Sequence, residues 1–366
     1  MKVAFMLGSL TMGGTETLLL DVFRNASVSD FEFLGIHRKG GILESSFYKV
    51  SKNFYKISPK CKFDINYLYK LRIFLLQQKV DIVHAQLCID ALYAKIACIG
   101  TKIKVVQTIH SFDNLNPNKK DKLFILTSKL VNLNIFVSNY LKKYYEGKYR
   151  LNPNKTSTIY NGISFDKLNI YGNKAILPRK DNGLQLVMVG SFLPGRSQLF
   201  ICKALNEIKK NGVIFDFYFV GKYTEKHINR YQECYEYCEQ NNLIENVHFL
   251  GQRDDISDIL RTVDAFVYAT EHDTFGLAVV EAIAMGVPTF VNDWYVMKEI
   301  SENGKYALLY KSDNVNDLTR MIVQFSKDTV NFKDKALKNI QIIRKKYSIK
   351  SHIANLNDIY QKILNS

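Results

Sequence analysis

The chain has 366 residues, of which 47% are hydrophobic and 23% charged, with only six prolines. At about 150 residues per domain this length predicts two or three domains, and the composition excludes a disordered, collagen-like or coiled-coil protein. The net charge of +15 is uneven, because residues 1–180 carry 28 Lys and Arg against 12 Asp and Glu, whereas residues 181–366 carry 22 against 23. This indicates an anionic partner of the first half (nucleic acid, a membrane or a phosphorylated substrate) or a solvated basic surface.

Short apolar runs alternate with amphipathic stretches along the whole chain. In the first half, strands are predicted at residues 2–7, 32–36, 82–84, 104–109, 135–137 and 156–159, and helices at 16–24, 65–78, 90–99 and 121–130. In the second half, strands are predicted at residues 185–189, 215–220, 247–250, 265–268 and 288–290, and helices at 197–210, 224–241, 254–261, 277–285 and 315–326. Such alternation predicts βαβ units, buried parallel sheets and an α/β protein of two doubly wound domains.

A polar, turn-rich stretch precedes the first strand of the second half, which predicts a domain boundary at residue 178. The two domains then cover residues 1–178 and 179–347. In the remaining segment, 348–366, apolar residues recur at helical spacing, so it is predicted to be one helix that must dock on the rest of the protein.

The sequence contains no window of eighteen uncharged apolar residues, so no membrane span is predicted. The apolar start at residues 3–7 fits a first buried strand better than a signal peptide. The six cysteines include no C-x-x-C pair. Cys234 and Cys238 lie four residues apart on a predicted helix, but no Cys/His set completes a metal site, so reduced thiols and a cytoplasmic location are expected.

Glycines separate a strand from a helix near the start of each half. Gly13 and Gly14 follow the first strand, and Gly190 follows the strand that opens the second half. Glycine lets a backbone approach a ligand closely, and a helix N-terminus favours anions. Because the G-x-G-x-x-G spacing is absent, a dinucleotide site is disfavoured. Arg196, just before the second helix, is interpreted as part of a diphosphate clamp or as a surface arginine beside a turn.

Two carboxylates stand out near the end of the second half. Asp273 lies in a loop before a helix, and Glu281 lies about two turns inside that otherwise apolar helix. A carboxylate is costly to bury without a partner. Glu281 is therefore interpreted as a ligand-binding group or, alternatively, as a surface residue or one paired with a structural arginine.

The segment from Asp273 to Glu281 resembles the E-x7-E signature of glycosyltransferase family 4, with Asp273 in the first acidic position. The sequence Gly13-Gly14-Thr15-Glu16 is similar to that family's N-terminal glycine loop. Residues 159–163 (IYNGI) resemble its N-G-I motif, and residues 189–196 stand where the family has G-R-x-x-x-x-K. The order and spacing of these motifs cover nearly the whole chain.

The resemblance implies a GT-B fold, in which two Rossmann-like domains face each other across a cleft and the last helix crosses back to the first domain. It implies that the first domain binds the acceptor and the second binds a nucleotide diphosphate sugar, with UDP- or GDP-sugars expected. It further implies retention of the anomeric configuration, no metal and no separate cofactor, with the leaving diphosphate stabilised electrostatically.

The resemblance also implies roles for individual residues. Glu281 would hold the nucleotide ribose, Asp273 would accept hydrogen bonds from the donor sugar, and Arg196 would neutralise the diphosphate. His110, which follows a strand, matches a histidine near the reaction centre, and it is counted with Asp273 and Arg196 as catalytic. The further substrate-binding residues implied, through backbone groups near the diphosphate or the acceptor, are Gly13, Gly14, Gly190, Ser191, Phe275, Gly276 and Leu277.

Three positions depart from the family pattern. Ser191 stands where an arginine usually helps to bind diphosphate, and Asp273 is one methylene shorter than the usual glutamate. The residues at 292–294 (NDW) replace a small, glycine-containing turn. These departures leave the donor sugar open more than the reaction class.

The expected function is transfer of a sugar to a glycan acceptor, carried on a polyprenyl diphosphate, in the assembly of a bacterial surface polysaccharide. The basic first half then fits that acceptor or peripheral contact with the inner face of an anionic membrane, with Lys142, Lys143, Lys148 and Arg150 as candidates. A nucleic-acid-binding function is disfavoured because no helix-turn-helix, zinc-finger or RRM pattern is present. The alternative is a catalytically idle GT-B subunit that scaffolds a partner enzyme.

Overall fold

The computed structural model describes residues 1–61, 64–112, 119–179 and 183–365. The chain forms two compact units: unit 1 comprises Met1–Ile163 with Tyr347–Ser366, and unit 2 comprises Ser164–Lys346. The boundary between the two units, after Ile163, therefore lies before the boundary expected at residue 178. The reason is that the intervening segment packs on unit 2, where the Ala175 amide donates to the Thr262 hydroxyl at 2.8 Å.

In its described residues, unit 1 begins with seven strands and six α-helices. The strands are β1 (Lys2–Ser9), β2 (Glu32–Lys39), β3 (Phe54–Lys56), β4 (Ile82–Ala85), β5 (Lys104–Ile109), β6 (Leu133–Phe136) and β7 (Thr156–Thr158). The helices are α1 (Gly14–Arg24), α2 (Glu44–Val50), α3 (Ile65–Gln77), α4 (Cys88–Ala97), α5 (Lys119–Leu130) and α6 (Asn139–Tyr149).

Unit 2 contains six strands and eight helices within the described residues. The strands are β8 (Leu184–Val189), β9 (Phe215–Val220), β10 (Val247–Gly251), β11 (Ala265–Tyr268), β12 (Thr289–Asn292) and β13 (Leu308–Tyr310). The helices are α7 (Gln198–Lys210), α8 (Ile228–Gln240), α9 (Ile256–Thr262), α10 (Leu277–Ala284), α11 (Tyr295–Ile300), α12 (Val315–Lys327), α13 (Thr329–Leu337) and α14 (Ile340–Lys346). The chain then returns to unit 1 as α15 (Ile349–Leu364).

Both sheets are parallel and buried on both faces. Unit 1 has the strand order β3-β2-β1-β4-β5-β6-β7, and unit 2 has β10-β9-β8-β11-β12-β13. Along β1, Val3 and Phe5 pack in one core cluster, while Ala4 and Met6 pack in a second cluster with residues of α3 and α4. This is the two-sided burial expected of a parallel strand, and it confirms the prediction of two doubly wound α/β domains.

The strand order reverses at β1/β4 in unit 1 and at β8/β11 in unit 2. In open parallel sheets, ligands bind outside the carboxyl ends of the strands at such a reversal. A binding site is therefore expected at the loops that follow β1, β4 and β5 in unit 1 and at those that follow β8 and β11 in unit 2.

Helix α15 docks on unit 1, as the apolar stripe predicted. Ile353, Leu356 and Tyr360 are buried in the same cluster as Phe5. The start of α15 contacts the IYNGI segment (residues 159–163), where the Ile349 amide donates to the Ile163 carbonyl at 3.0 Å. A Cβ atom on Gly162 would lie 2.7 Å from the Cβ of His352, so glycine permits this close approach.

No helix in the described ranges is both long and apolar enough to cross a membrane.

Candidate active site

At the carboxyl edge of the unit 2 sheet, three side chains meet. Arg196, in the loop after β8, donates through Nη1 to Oδ1 of Asp273. Tyr268, the last residue of β11, donates its hydroxyl to Oδ2 of Asp273 at 2.6 Å. The Arg196 guanidinium carbon also lies 5.2 Å from the centroid of the Tyr268 ring. The residues expected to make separate ligand contacts, Arg196 and Asp273, are therefore paired in a single cluster.

The charges in this cluster support one another. Burial alone would lower the pKa of Arg196, but Tyr268 and Asp273 raise it above its ordinary value, so the guanidinium stays charged. Burial raises the pKa of Tyr268 well above its ordinary range, so its hydroxyl stays protonated and donates. A guanidinium has five N–H donors, so its contact with Asp273 does not exhaust its capacity to bind an anion.

A second set of contacts fixes the loop that carries Asp273. The Thr270 hydroxyl donates to the Gly195 carbonyl at 2.9 Å and accepts from the Asp273 amide at 3.2 Å. The Asn292 side chain bonds both the amide and the carbonyl of Thr270, at 3.0 and 2.8 Å. Trp294 donates through Nε1 to the Asp273 carbonyl at 3.1 Å. Asn292 and Trp294, two of the residues that depart from the family pattern, thus donate or accept the hydrogen bonds that hold the Asp273 loop.

The glycine loop after β8 lies against this cluster. A Cβ atom on Gly190 would lie 3.5 Å from Nε of Arg196, and one on Gly221 would lie 2.2 Å from the Gly190 carbonyl oxygen. Gly195 has φ of +87°, which favours glycine. The predicted substrate-binding residue Gly190 is therefore adjacent to Arg196, and Ser191 follows it in the same loop.

Helix α10 begins at the same edge. Gly276 precedes it in the left-handed conformation (φ 82°, ψ 59°), and no side chain caps the helix. A Cβ on Gly276 would lie 2.7 Å from Cε of Met297. Phe275 is buried and anchors the turn, and Leu277 is the first helical residue. The N-terminal amides carry partial positive charge that favours an anion.

Glu281 lies inside α10 and is half-buried. Burial raises the pKa of its carboxyl to about 7, an effect that Lys167 opposes. Among the described residues, none donates a hydrogen bond to this carboxylate. A carboxyl group with a perturbed pKa and unused acceptor capacity, about one turn from an uncapped helix N-terminus, is suited to ligand hydroxyls.

In unit 1, His110 follows β5 and lies at the carboxyl edge. Its Nε2 is 2.8 Å from Oε1 of Gln86, which follows β4. Because an amide oxygen only accepts, this contact assigns the ring proton to Nε2. Burial, and secondarily His352, lowers the pKa of His110 to about 4. His110 is thus a neutral imidazole in a fixed tautomer.

Further neutral polar groups lie near His110 in the described part of unit 1. His84 bonds the Thr108 hydroxyl and the Tyr360 hydroxyl of α15, each at 2.6 Å, and burial lowers the pKa of His84 to about 3. Nε2 of Gln86 is buried and has no hydrogen-bond partner among the described residues. Sequence reasoning identified His110 but missed Gln86, whose signal is a polar residue directly after a buried strand.

Gly13 and Gly14 lie at the same edge of unit 1, where Gly13 precedes α1 and Gly14 is its first residue. A Cβ on Gly13 would lie 2.5 Å from Oε2 of Glu16. Burial raises the pKa of the Glu16 carboxyl. Sequence reasoning thus placed this glycine pair correctly, between a strand and a helix.

The six cysteines are free thiols, as expected. Cys202, Cys234 and Cys238 are buried in contact with one another, and burial raises the pKa of Cys202 well above its ordinary value. Within the described part of the chain, no group of three or more His, Cys, Asp or Glu side chains is placed to hold a metal ion.

Comparison with known proteins gives two family matches and a set of relatives. The family model described as "Glycosyl transferases group 1" matches residues 172–345, and the model described as "Glycosyltransferase Family 4" matches residues 12–167. The chain is 27% identical over 301 residues to the UDP-Gal:alpha-D-GlcNAc-diphosphoundecaprenol alpha-1,3-galactosyltransferase of Escherichia coli, covering 77% of this chain and 76% of that protein. It is also 27% identical over 237 residues to protein CapJ of Staphylococcus aureus, covering 60% of this chain and 56% of CapJ.

Among solved structures, Anabaena Alr3699/HepE in complex with UDP is similar to this chain with a TM-score of 0.85, at 16% identity, over 99% of this chain and 100% of that one. A glycosyltransferase of Rickettsia africae has the same TM-score at 18% identity, over 99% of this chain and 98% of that one. At these identities the likeness shows the fold.

Proposed function

Since the chain belongs to glycosyltransferase family 4 and has the GT-B fold, we propose that it transfers a sugar from a nucleotide diphosphate sugar to a glycan acceptor with retention of configuration. The observation that carries the proposal is the arrangement in unit 2. Arg196, Asp273 and Tyr268 form one largely buried cluster beside the uncapped N-terminus of α10, and Glu281 lies about one turn along that helix.

In this proposal each group of unit 2 meets one part of the donor. Glu281 accepts hydrogen bonds from the ribose hydroxyls, and Asp273 accepts them from the sugar. Arg196 and the first amides of α10 stabilise the negative charge that develops on the diphosphate as its bond to the sugar breaks. Hydrogen-bond donors that are already oriented need no reorganisation during the reaction. Arg196 and the helix dipole therefore supply the charge stabilisation that a metal ion supplies in other enzymes.

Unit 1 binds the acceptor. Its carboxyl edge offers the neutral His110, the buried amide of Gln86 and the glycine pair before α1. Neutral polar groups such as the His110 ring and the Gln86 amide fit the hydroxyl groups of a sugar. We propose that His110 contacts the reacting sugars from this edge as a hydrogen-bonding group in its neutral form.

The relatives suggest the acceptor and the pathway. The Escherichia coli relative is named for an acceptor on diphosphoundecaprenol. We therefore propose a glycan on a polyprenyl diphosphate as the acceptor, and assembly of a bacterial surface polysaccharide at the cytoplasmic face of the membrane. A UDP-sugar is the first donor to test and a GDP-sugar the second, since HepE is similar in fold and binds UDP.

Binding and turnover with matched donors test the proposal. Thermal shift against UDP-, GDP- and dTDP-sugars identifies the donor, because ligand binding raises apparent stability by mass action. NMR of the anomeric proton during turnover then reports the configuration of the product, and activity after chelation with EDTA is expected to be unchanged. An idle scaffolding subunit would neither hydrolyse nor transfer the sugar of any of these donors, and an inverted product would contradict retention.

A further inference from the structure

Unit 1 contains an ion pair at the carboxyl edge of its sheet that has no role in the reaction as described so far. Arg38 is the next-to-last residue of β2, and Asp90 lies in the first turn of α4, the helix that follows β4. Nε of Arg38 donates to Oδ1 of Asp90 at 2.5 Å, and Nη2 lies 3.5 Å from Oδ2. The Asp90 side chain is fully buried and that of Arg38 is 15% exposed. A buried carboxylate therefore holds a partly accessible guanidinium in a fixed position.

Two tyrosine rings complete this cluster. The guanidinium carbon of Arg38 lies 5.9 Å from the centroid of the Tyr93 ring, and the Tyr67 ring packs edge-on against Tyr93 at 5.2 Å. Tyr67 is 2% exposed, and its hydroxyl has no hydrogen-bond partner among the described residues. A buried hydroxyl normally has a partner, because burying one without compensation is costly. The cluster thus contains an unused polar group as well as a cation.

The guanidinium of Arg38 also has unused hydrogen-bond donors. It offers five N–H groups, and its contacts with Asp90 use only Nε and Nη2, while Nη1 has no partner in the described part of the chain. Burial alone would lower the pKa of Arg38, but Asp90 raises it above its ordinary value, so the group stays charged. A charged guanidinium with free donors is suited to bind the oxygens of a phosphate.

The same three residue types form the candidate donor site of unit 2. There Arg196 contacts Asp273, and its guanidinium carbon lies 5.2 Å from the centroid of the Tyr268 ring. In each unit a carboxylate at the carboxyl edge of the sheet thus holds an arginine over a tyrosine ring. Unit 1 therefore repeats, with residues from other positions in its chain order, the arrangement to which we assign the diphosphate in unit 2.

Glycine lets the backbone of the loop after β1 approach Arg38 closely. A Cβ atom on Gly8, near the end of β1, would lie 3.1 Å from Nη2 of Arg38 and 2.6 Å from Cδ1 of Leu87. The loop that leads to Gly13 and Gly14 therefore begins beside the guanidinium. A ligand at this glycine loop is thus within reach of Arg38.

The Arg38 cluster and His110 lie at the same edge and are linked through the start of α4. Gln86 contacts His110, and Asp90, four residues further along the chain, holds Arg38. The strands that precede the two sites, β2 and β5, are three strand spacings apart, about 14 Å. A sugar that bears a diphosphate spans such a distance, so its hydroxyl groups would meet His110 while its phosphates meet Arg38.

We propose that Arg38, held by Asp90 over the Tyr93 ring, binds the diphosphate of the acceptor. The inference rests on the proposed function and deepens it, because it names the residue by which unit 1 selects an acceptor carried on a diphosphate over a neutral glycan. The diphosphate of the donor offers the same oxygens, so the experiment must separate these two sources.

Isothermal titration calorimetry on the full chain tests the inference. UDP is titrated first, and geranyl diphosphate, a short prenyl diphosphate, is titrated at saturating UDP so that the cluster around Arg196 is already occupied. The test variant is Arg38→Met/Asp90→Leu. It removes both charges, so no unpaired carboxylate stays buried, and such exchanges are often neutral for stability.

Two further variants and one further ligand serve as controls. Arg24→Met/Asp21→Leu removes another Arg–Asp pair of unit 1, on α1, whose Nη1 and Oδ1 are 2.9 Å apart. Arg38→Lys keeps the charge beside Asp90 but loses the planar fork. Geraniol has the prenyl chain without phosphates. Thermal unfolding shows that each variant is folded.

The test variant is expected to bind geranyl diphosphate about 10- to 100-fold more weakly than wild type, the factor typical of a hydrogen bond to a charged group. Arg38→Lys should lose part of that factor, and the Arg24/Asp21 control should stay within about twofold of wild type. The affinity for UDP should be the same in all variants. Geraniol should not distinguish the variants from wild type.

Three results would overturn the inference. They are a wild type that does not bind geranyl diphosphate, equal affinity of the wild type and the test variant for it, and a loss of UDP affinity in the test variant, which would assign Arg38 to the donor. Failure of the wild type to turn over any nucleotide sugar, with binding of geranyl diphosphate that still depends on Arg38, would contradict the proposed function alone.

Discussion

Unit 2 keeps the cation of its candidate site, Arg196, in contact with Asp273 and Tyr268, whereas two neutral polar groups, His110 and Gln86, meet at the carboxyl edge of unit 1. Lys79, Lys95, Lys102 and Lys104, which have no ion-pair partner among the described residues, line a groove at the opposite edge of the unit 1 sheet. The difference shows that the excess positive charge of the first half does not lie at the candidate active site. A charge at a reaction centre is buried and needs a partner, while charges that attract a surface are exposed and unpaired.

Breaking the unit 2 cluster should have the largest effect. Arg196→Ala leaves Asp273 buried without its cation, so we expect about a thousandfold loss of kcat/KM and about 2–4 kcal/mol of destabilisation. Urea unfolding and steady-state rates measure the two effects. The matched control is Arg253→Ala. Nη2 of Arg253 lies 2.5 Å from Oδ2 of Asp255, and both side chains are about one third exposed, so this variant should change the free energy of unfolding by less than about 0.5 kcal/mol. Equal effects would show that burial does not matter here.

Glu281→Gln tests the donor side of the comparison. A carboxylate–hydroxyl contact contributes about 1.5–3 kcal/mol, so nucleotide-sugar affinity should fall about 10- to 100-fold in calorimetry at pH 8. Glu233→Gln, on the exposed face of α8, is the control and should not change affinity.

The pH dependence sharpens the same test. The pKa of Glu281 is raised to about 7, so the folded chain keeps a proton that the unfolded chain releases near pH 4.3. Stability from this group is therefore lost as pH rises from about 4 to 7. Nucleotide-sugar affinity should rise over the upper part of that range, with release of a proton. A pH-independent affinity in the wild type would contradict the assignment.

The return of α15 to unit 1 can be tested with two glycines. Gly162→Ala puts a Cβ 2.7 Å from that of His352 and 2.9 Å from the Ile349 Cα, so about 1–3 kcal/mol of destabilisation is expected from overpacking. Gly147→Ala, in α6, meets nothing within 4 Å and should stabilise by up to about 1 kcal/mol. Thermal unfolding of both variants checks the contrast. Similar shifts would mean that the close approach at Gly162 carries no constraint.

The smallest effect concerns the neutral edge of unit 1. Gln86→Glu places a carboxylate beside His110, which should raise the pKa of His110 by one unit or more above about 4. Activity is expected to fall at least about twofold near pH 5, where the ring becomes cationic, and to recover at pH 8. NMR titration of the ring measures the pKa separately from the rate. Gln86→Met, which removes the contact without adding charge, should produce no such pH dependence.

The sequence by itself determined the doubly wound class, most of the longer elements, the glycine turns and the candidates His110, Arg196, Asp273 and Glu281. These follow from local periodicity and from the cost of placing Gly or a carboxylate where it stands. The elements β3, β13, α2, α11, α13 and α14 were missed, because three to nine residues carry too little periodic signal and form by packing on neighbours already in place.

Only the tertiary structure decided that Arg196 and Asp273, 77 positions apart, share one ion pair, and that Tyr268 and Gln86 belong to the candidate sites. It also moved the boundary between the units to residue 163 and gathered four separate lysines into one groove. The physical reason is common to all of these. The role of a charged or polar side chain depends on the groups that it contacts. Parallel strands bring those groups together from distant parts of the chain.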